Sequence, residues 1–256
     1  MHTLTSLTDD LKAMGLTGTD VVMAHSSMKS IGQVVGGADT VLDALTGFFS
    51  EGAFLMPTLT WKLIFEPDRS KRVFDVKNSV TDTGLLPEIL RKRPGAVRSL
   101  HPTHSVAGFG CRAAELIEAD RLSPSSCGNP SVWHNLYLEN AYIMMIGCQL
   151  TSCTFMHAVE EWGDMPVRMP LSEPIAYTVI PESGEPYERR VSCHAVAHTS
   201  NQFGKAEAGM RRAGLIRDGR LGDAPVMLLR AKPVFEHVSA LLRETPELFL
   251  PDGKHY

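Results

Sequence analysis

The sequence has no long apolar run, no paired-cysteine motif and no excess of basic residues. No segment approaches the roughly 20 consecutive apolar residues that a membrane-spanning helix needs, and the acidic, amphipathic start differs from a signal peptide. The five cysteines are scattered without CxxC spacing, so they form neither a disulfide framework nor a strong zinc signature. With 25 Lys and Arg against 29 Asp and Glu, the chain lacks the broad basic surface typical of nucleic-acid binding. We expect a cytoplasmic protein with reduced thiols that binds neither nucleic acid nor membrane.

The composition is that of a globular protein with a substantial core. Of 256 residues, 43% are hydrophobic and 21% are charged. There is no internal repeat, low-complexity tract or clear linker. We therefore predict one domain over residues 1–256.

Apolar periodicity and turn residues predict helices and strands that alternate along the first two thirds of the chain. The predicted strands are 20–26, 52–58 and 141–147, with an extended stretch at the end of 101–110. The predicted helices are 3–14, 38–50, a short helix within 81–95, 111–119, 131–139 and 153–162. Residues 59–82 are polar and irregular, which indicates a functional excursion or lid. Residues 173–193 predict an antiparallel hairpin, and 201–249 predict mostly helix, broken by 215–225.

The first candidate motif is "AHSSMKSIGQVVGG" (24–37), in which a predicted strand ends in two serines and enters a glycine-bearing turn. The hydroxyls of Ser26 and Ser27 and nearby backbone N–H groups suit a phosphate, with Lys29 supplying positive charge. The motif is neither a P-loop nor GxGxxG. An ordinary turn with serine caps fits the same pattern.

The second motif is "VRSLHPTHSVAGFG" (97–110), where Arg98, His101, His104 and Ser105 fall in one loop. Arginine binds phosphates through its planar fork, and two histidines three residues apart suit metal ligands or bases. A merely polar loop is the alternative.

The third motif is "TSCTFMHAVEEW" (151–162), which places His157 in an apolar helical run with Glu160 and Glu161 three and four residues later. These residues share a helix face, so either carboxylate can orient the imidazole. A neutral imidazole held by a carboxylate can remove a proton, and a neighbouring hydroxyl can stabilise an oxyanion. The alternative is a hydrogen-bonded core histidine.

These motifs, in this order, resemble the antibiotic N-acetyltransferases, the aminoglycoside 3-N-acetyltransferase family. The resemblance rests on "HSSMKSIG" followed by "GG", "MPTLTW", "TGLLPEILRKRPGAVRSLHPTHSVAGFG" and "TFMHAVEEWG", and the segment from "LIRDGRLGDAP" to "HVSALL" resembles the family's closing segment. It implies a single α/β (α+β) domain with a mostly antiparallel central sheet surrounded by helices. It also implies transfer of an acetyl group from acetyl-coenzyme A to an amine.

The resemblance assigns roles to matched positions. His157 is the general base, Glu160 its carboxylate partner, and Thr154 matches a threonine that precedes the base by three. The expected coenzyme site comprises Ser26, Ser27, Lys29, Gly32, Val34, Arg98, His104 and Ser105. We expect direct transfer without a metal or an acyl-enzyme, and we expect Glu160 to raise the pKa of His157.

The implied acceptor is the 3-amino group of a 2-deoxystreptamine aminoglycoside, which needs acidic residues around its cationic groups. The expected substrate-binding residues are Asp75, Glu161 and Asp164, with Glu66 and Asp68 as further candidates, and all are also compatible with solvated surface charges. The chain departs from the family around "HAVEEW", at Cys127 and Cys153, and at "SCHAVAH" (192–198). A different amine therefore stays open as the acceptor.

Two further classes of protein stay open. One is a zinc-dependent hydrolase, whose ligands would come from His101, His104, Cys127, His157, Cys193, His194 and His198, although these make no HExxH or CxxC pair. The other is a non-catalytic coenzyme A binding protein. The oligomeric state is either monomer or homodimer.

Overall fold

The computed structural model describes residues 1–165, 168–195 and 198–251. In these ranges the chain forms ten strands. They are β1 (Val21–Ser26), β2 (Ala53–Pro57), β3 (Val73–Asp75), β4 (Val97–Arg98), β5 (Val106–Phe109), β6 (Tyr142–Ile146), β7 (Ile175–Ile180), β8 (Tyr187–Val191), β9 (Ile216–Leu221) and β10 (Ala224–Arg230). Seven of them form a sheet in the order β4-β5-β2-β1-β6-β10-β9, and three form a second sheet in the order β3-β7-β8.

The large sheet is parallel at its centre and antiparallel toward both edges. β1 pairs in parallel with β2 and β6, whereas β5, β4, β10 and β9 add antiparallel strands outside them. β1 is central because its apolar, β-branched residues are buried on both faces. The predicted mostly antiparallel central sheet within an α/β fold is confirmed.

Helices cover both faces of the large sheet. They are α1 (Leu4–Ala13), α2 (Gly37–Phe48), α3 (Leu85–Leu90), α4 (Ala113–Glu118), α5 (Val132–Leu138), α6 (Phe155–Trp162), α7 (Glu207–Arg212) and α8 (Ala231–Glu244). α1 to α3 pack on the face that carries Val22 and Ala24, and α4 to α8 pack on the face that carries Val21 and Met23. Side chains alternate between the faces of a strand, so β1 contributes to both cores. Within the described ranges, no helix has the length and apolar character needed to cross a bilayer.

Two sequence predictions were wrong in part. Residues 59–82, predicted to be an irregular excursion, contain β3, which pairs with β7 and buries Phe74 completely. Within the predicted helical region 201–249, β9 and β10 form a hairpin joined by Gly222 and Asp223. Gly222 has φ of +62°, which favours glycine in a two-residue hairpin turn. The single domain over residues 1–256 stays a prediction.

Candidate active site

The candidate site lies at the carboxyl edge of the parallel strands, the edge at which open α/β sheets bind ligands. β1 ends at Ser26, and the Ser27 N–H donates to the carbonyl of Ile146 at the end of β6 (2.9 Å). The chain then passes from β6 through a short 3-10 helix, Leu150–Ser152, into α6. Beyond the end of β2, the Thr58 N–H donates to the Ser105 carbonyl at 2.8 Å. The three sequence motifs therefore converge on one edge of the sheet.

The centre of the site is a carboxylate–imidazole pair on α6. His157 Nδ1 lies 2.6 Å from Glu160 Oε2, and the two side chains are 16% and 1% exposed. Thr199 Oγ1 donates to the same Glu160 oxygen at 3.4 Å, whereas Glu160 Oε1 has no hydrogen-bond partner in the described part of the chain. Thr154 immediately precedes the helix and is buried, but its side chain does not cap it. The (i, i+3) spacing read from the sequence thus produces a close contact.

The charge of this pair differs from our expectation. Burial and the neighbouring His194 lower the pKa of His157 well below its ordinary value, so the expected rise was wrong. Burial raises the pKa of Glu160 to about 8. At neutral pH the two groups therefore share one titratable proton, in addition to the N–H that a neutral imidazole always carries. When that proton leaves, the Nδ1–H donates to the carboxylate and Nε2 carries the lone pair of a base.

A second carboxylate–imidazole pair lies against the first. Glu161 Oε1 is 2.6 Å from His194 Nε2 and accepts the Cys127 N–H at 2.7 Å, and the Ser125 hydroxyl donates to Glu161 Oε2. Burial alone would raise the pKa of Glu161, but hydrogen bonds from His194, Ser125 and Cys127 lower it. Burial alone would lower the pKa of His194, but the hydrogen bond and charge of Glu161 raise it. Both shifts favour the charged forms of this pair, a carboxylate and an imidazolium.

The two imidazoles are stacked. The rings of His157 and His194 have centroids 4.2 Å apart with 29° between their planes. Phe203 contacts His157 edge-on at 4.8 Å, and His104 lies 6.0 Å from His194. No spacing in the sequence links His194 or Phe203 to His157, because both come from segments distant from α6. The only hint was the surplus of histidines in 192–198.

The histidines of the second motif are hydrogen-bonded within the protein through both nitrogens of His101 and through Nδ1 of His104. His101 Nδ1 accepts the N–H groups of Thr103 and His104, and its Nε2 donates to the Ser125 carbonyl at 2.9 Å. Burial, assisted by the positive charge of Arg189, lowers the pKa of His101 to about 3. His104 Nδ1 lies 3.0 Å from the Thr103 hydroxyl. Burial and the other histidines lower the pKa of His104 well below its ordinary value. Both rings are therefore neutral, and His101 supports the Ser125 loop that holds Glu161.

Arg98 and Ser105 differ from the predicted phosphate contacts. The Arg98 guanidinium donates to the carbonyls of Thr58, Val76 and Ser79, and its Nε reaches the hydroxyls of Thr58 and Ser105. The Ser105 hydroxyl donates to the Thr58 carbonyl at 2.7 Å. These donors are committed to the protein, so the geometry gives both residues a role in holding the loop together.

The serine turn, which contains Ser26 and Ser27 at the end of β1, has one polar group without a hydrogen-bond partner in the described part of the chain. Ser26 Oγ is buried and has no hydrogen-bond partner among the described residues, whereas Ser27 Oγ accepts from Ser30 at 2.9 Å. Lys29 is exposed and Val34 is half-buried. Gly32 has φ of +83°, and an added Cβ would lie 2.0 Å from an Asp223 carboxylate oxygen, so no other residue fits there without displacement.

The three predicted acceptor-binding acids are each occupied elsewhere. Glu161 is held by the three donors described above, which differs from the predicted contact with a cationic acceptor. Asp164 forms an exposed ion pair with Arg243 (2.7 Å). Asp75 accepts from the N–H groups of Lys77 and Asn78 at the end of β3. In this conformation none of the three presents a carboxylate free of protein partners.

Among the residues that the structure describes, Cys127, Glu161 and His194 are suited to hold a metal, and their donor atoms lie within 4.8 Å of one another. Glu161 is already bonded to the other two, through the Cys127 N–H and His194 Nε2. Burial and the charge of Glu161 raise the pKa of the Cys127 thiol well above its ordinary value. The group therefore has the geometry of an ion pair beside a thiol.

Comparisons with known proteins agree across nearly the whole chain. The sequence profile of the family described as aminoglycoside 3-N-acetyltransferase matches residues 23–243. Aminoglycoside N(3)-acetyltransferase VII of Streptomyces paromomycinus is 31% identical over 94% of this chain and 92% of the relative. Aminoglycoside N(3)-acetyltransferase III of Serratia marcescens is 28% identical over 91% of this chain and 94% of its own.

Solved structures share the fold. The crystal structure of the aminoglycoside acetyltransferase AAC(3)-Xa superposes with a TM-score of 0.80 at 28% identity, covering 94% of this chain and 93% of that chain. AAC-IIIb, solved as a binary complex with CoASH, superposes with a TM-score of 0.82 at 24% identity, covering 94% of this chain and 96% of that chain.

Proposed function

We propose a function from one established premise: the chain belongs to the aminoglycoside 3-N-acetyltransferase family and is an acetyltransferase. The resemblance predicted from the sequence motifs is thereby confirmed. The proposed reaction takes an acetyl group from acetyl-coenzyme A to the 3-amino group of a 2-deoxystreptamine aminoglycoside. The names of the relatives support this acceptor, and the neighbour solved with CoASH supports the donor.

The single observation that carries the mechanism is the contact between His157 Nδ1 and Glu160 Oε2 at 2.6 Å. A carboxylate on Nδ1 fixes the ring and leaves Nε2 to act on the acceptor. His157 Nε2 takes a proton from the acceptor ammonium, and Glu160 stabilises the imidazolium that forms. The free amine then attacks the thioester carbonyl carbon.

The remaining bond changes use the same proton. Attack forms the C–N bond and places negative charge on the carbonyl oxygen. When the carbonyl re-forms, the C–S bond breaks, and the imidazolium returns its proton to the departing thiolate to give free coenzyme A. The attacking nitrogen releases its second proton to solvent. Positioning of both substrates supplies much of the rate, since well-oriented reactants are worth about 7–11 kcal/mol in favourable systems.

We assign the coenzyme to the serine turn at the end of β1. The buried Ser26 hydroxyl, which has no partner among the described residues, is a donor for a phosphate or pantetheine oxygen, and the exposed Lys29 supplies positive charge. Ser26→Ala should weaken acetyl-coenzyme A binding measured by calorimetry and change turnover at saturating coenzyme little. Ser50→Ala is the matched control, because Ser50 is an exposed serine just after α2. Unchanged affinity in Ser26→Ala would remove this residue from the coenzyme site.

The proposed function is tested by thiol release from acetyl-coenzyme A with 2-deoxystreptamine aminoglycosides and simpler primary amines as acceptors. We expect release with the aminoglycosides, and NMR of the product should locate the acetyl group on the 3-amino nitrogen. Release with a simpler amine alone would keep the chemistry and replace the acceptor. Acetyl-coenzyme A binding without release from any acceptor would contradict catalysis and favour a coenzyme-binding protein.

A further inference from the structure

Consecutive glutamates on α6 each hold a different histidine. Neighbouring helical residues point about 100° apart, and Glu160 and Glu161 here reach different hydrogen-bond partners. Glu160 turns back to His157 on its own helix, and Glu161 reaches His194 in the segment after β8. The two imidazoles then meet face to face at 4.2 Å. The proposed mechanism uses the first pair and gives the second no role.

We propose that Glu161 and His194 are positioning residues for the acetyl transfer: the His194 ring, anchored by Glu161, fixes the plane of His157 and holds a positive charge against it. This inference rests on the proposed function, because it assigns a role toward His157 as the base. Glu161 and His194 both lie outside the His157–Glu160 pair of the third motif.

The anchoring of His194 is rigid. Glu161 is fixed through both of its oxygens, by the Cys127 N–H at 2.7 Å and by the Ser125 hydroxyl. Its side chain is 2% exposed and that of His194 is 12% exposed. On the other side, the edge-on contact with Phe203 limits rotation of His157. The His157 ring is therefore held by His194 and Phe203 as well as by Glu160, and its Nε2 direction is set before an acceptor binds.

The charge states separate the roles of the two histidines. The ionisable groups that face His157 are Glu160 and Glu161 from α6, His194 from the segment after β8, and His104 from the loop before β5. The segment 199–206 contributes Phe203 and the Thr199 hydroxyl. The raised pKa of His194 favours its cation, which is not a base, whereas the lowered pKa of His157 favours the neutral imidazole. The positive charge lowers the pKa values of both His157 and Glu160, which favours release of the proton that this pair holds.

Two variants separate charge from shape. His194→Phe keeps a ring against His157 but removes the charge and the tether, and leaves the Glu161 carboxylate uncompensated. Glu161→Gln keeps a hydrogen-bonding group beside Cys127 and His194 but removes the carboxylate that holds His194 cationic. Cys193→Ala is the control, because Cys193 directly precedes His194 in the sequence. Its described hydrogen bonds go to Tyr177 and Ser172 and not to His157.

The readout is the pH profile of kcat/KM with one acceptor and saturating acetyl-coenzyme A. We expect the acid limb to move to higher pH in the order wild type, Glu161→Gln, His194→Phe. A shift of about one pH unit in His194→Phe lowers kcat/KM about tenfold near pH 7 and leaves the alkaline plateau nearly unchanged. The KM for acetyl-coenzyme A should stay constant in both variants, and Cys193→Ala should follow the wild-type profile.

A purely structural role would lower activity by the same factor at every pH, and that result in folded His194→Phe would overturn the proposal. A second measurement needs no turnover. In ¹⁵N-histidine NMR of the substrate-free wild type, one imidazole should stay protonated above about pH 7. The signal of that imidazole should disappear in His194→Phe. If His194→Phe does not fold, the same imidazole should titrate at lower pH in Glu161→Gln than in wild type. A wild type whose histidines are all neutral at that pH contradicts the proposal. If instead the NMR result holds while His157→Ala retains normal turnover, the assignment of His157 as the base fails, whereas the charged Glu161–His194 pair is still supported.

Discussion

Glu160→Gln tests whether the buried pair works as one acid–base unit. Glutamine keeps the size of the side chain but cannot hold the negative charge that stabilises the His157 imidazolium across a 2.6 Å contact. A hydrogen bond to a charged group is worth about 1.5–3 kcal/mol, so the alkaline plateau of kcat/KM should fall by about 10- to 100-fold.

The same substitution should change the pH profile. In the wild type the acid limb reports the shared proton, because burial raises the pKa of Glu160 to about 8. Glutamine cannot hold that proton, and the pKa of the remaining His157 lies well below its ordinary value. The variant should then be near its plateau at about pH 7, where the wild type is at about one tenth of its own. The deficit of the variant should therefore be about tenfold smaller near pH 7 than near pH 9.5.

The assay is thiol release measured across the pH range with one acceptor, so that titration of the acceptor amine cancels in the ratio of variant to wild type. Glu182→Gln, on the exposed turn between β7 and β8, is the matched control and should show no change. A ratio of variant to wild type that stays constant with pH would refute the shared-proton account, whatever the size of the loss.

Two further predictions concern stability. Arg98→Lys should lower the free energy of unfolding by about 2–4 kcal/mol, because lysine cannot replace the contacts to three carbonyls and leaves buried acceptors unpaired. A loss of coenzyme affinity with unchanged stability would instead support the predicted phosphate contact of Arg98. Burial lowers the pKa of His25 to about 4 in the folded chain, so its contribution is fully present above the unfolded pKa of about 6.5 and is lost as the pH falls toward 4. Denaturant unfolding at about pH 7.5 and pH 5 should show about 2 kcal/mol less acid destabilisation in His25→Phe than in wild type, and equal destabilisation would contradict the assignment.

The sequence was informative where one local rule decided the structure. Short apolar runs ending in polar residues located β1, β2 and β6, and the (i, i+3) spacing on an apolar helix located the contact between His157 and Glu160. β9 and β10 were missed because the polar "IRDGR" and the helix-prone flanks hid the two-residue turn at Gly222 and Asp223. β10 forms a strand because it pairs with β6, a long-range contact, and β9 in turn pairs with β10.

The charges and partners within the site depended on tertiary contacts. A nearby carboxylate alone predicts a raised pKa for His157, but burial and the charge of His194 act in the opposite direction. Glu161 looked available to a cationic acceptor because sequence spacing cannot reveal Ser125, Cys127 and His194 around it. Arg98 looked like a phosphate ligand for the same reason, since its acceptors come from residues 19 to 40 positions away in the sequence.

The most direct test of His157 as the base of an acetyltransferase is His157→Ala, with turnover and acetyl-coenzyme A affinity measured on the same preparation. We expect the affinity for acetyl-coenzyme A to stay within a few-fold of wild type, while kcat falls by about 10²–10⁴ at the alkaline plateau. Near-normal kcat in a folded variant that still binds acetyl-coenzyme A would contradict it.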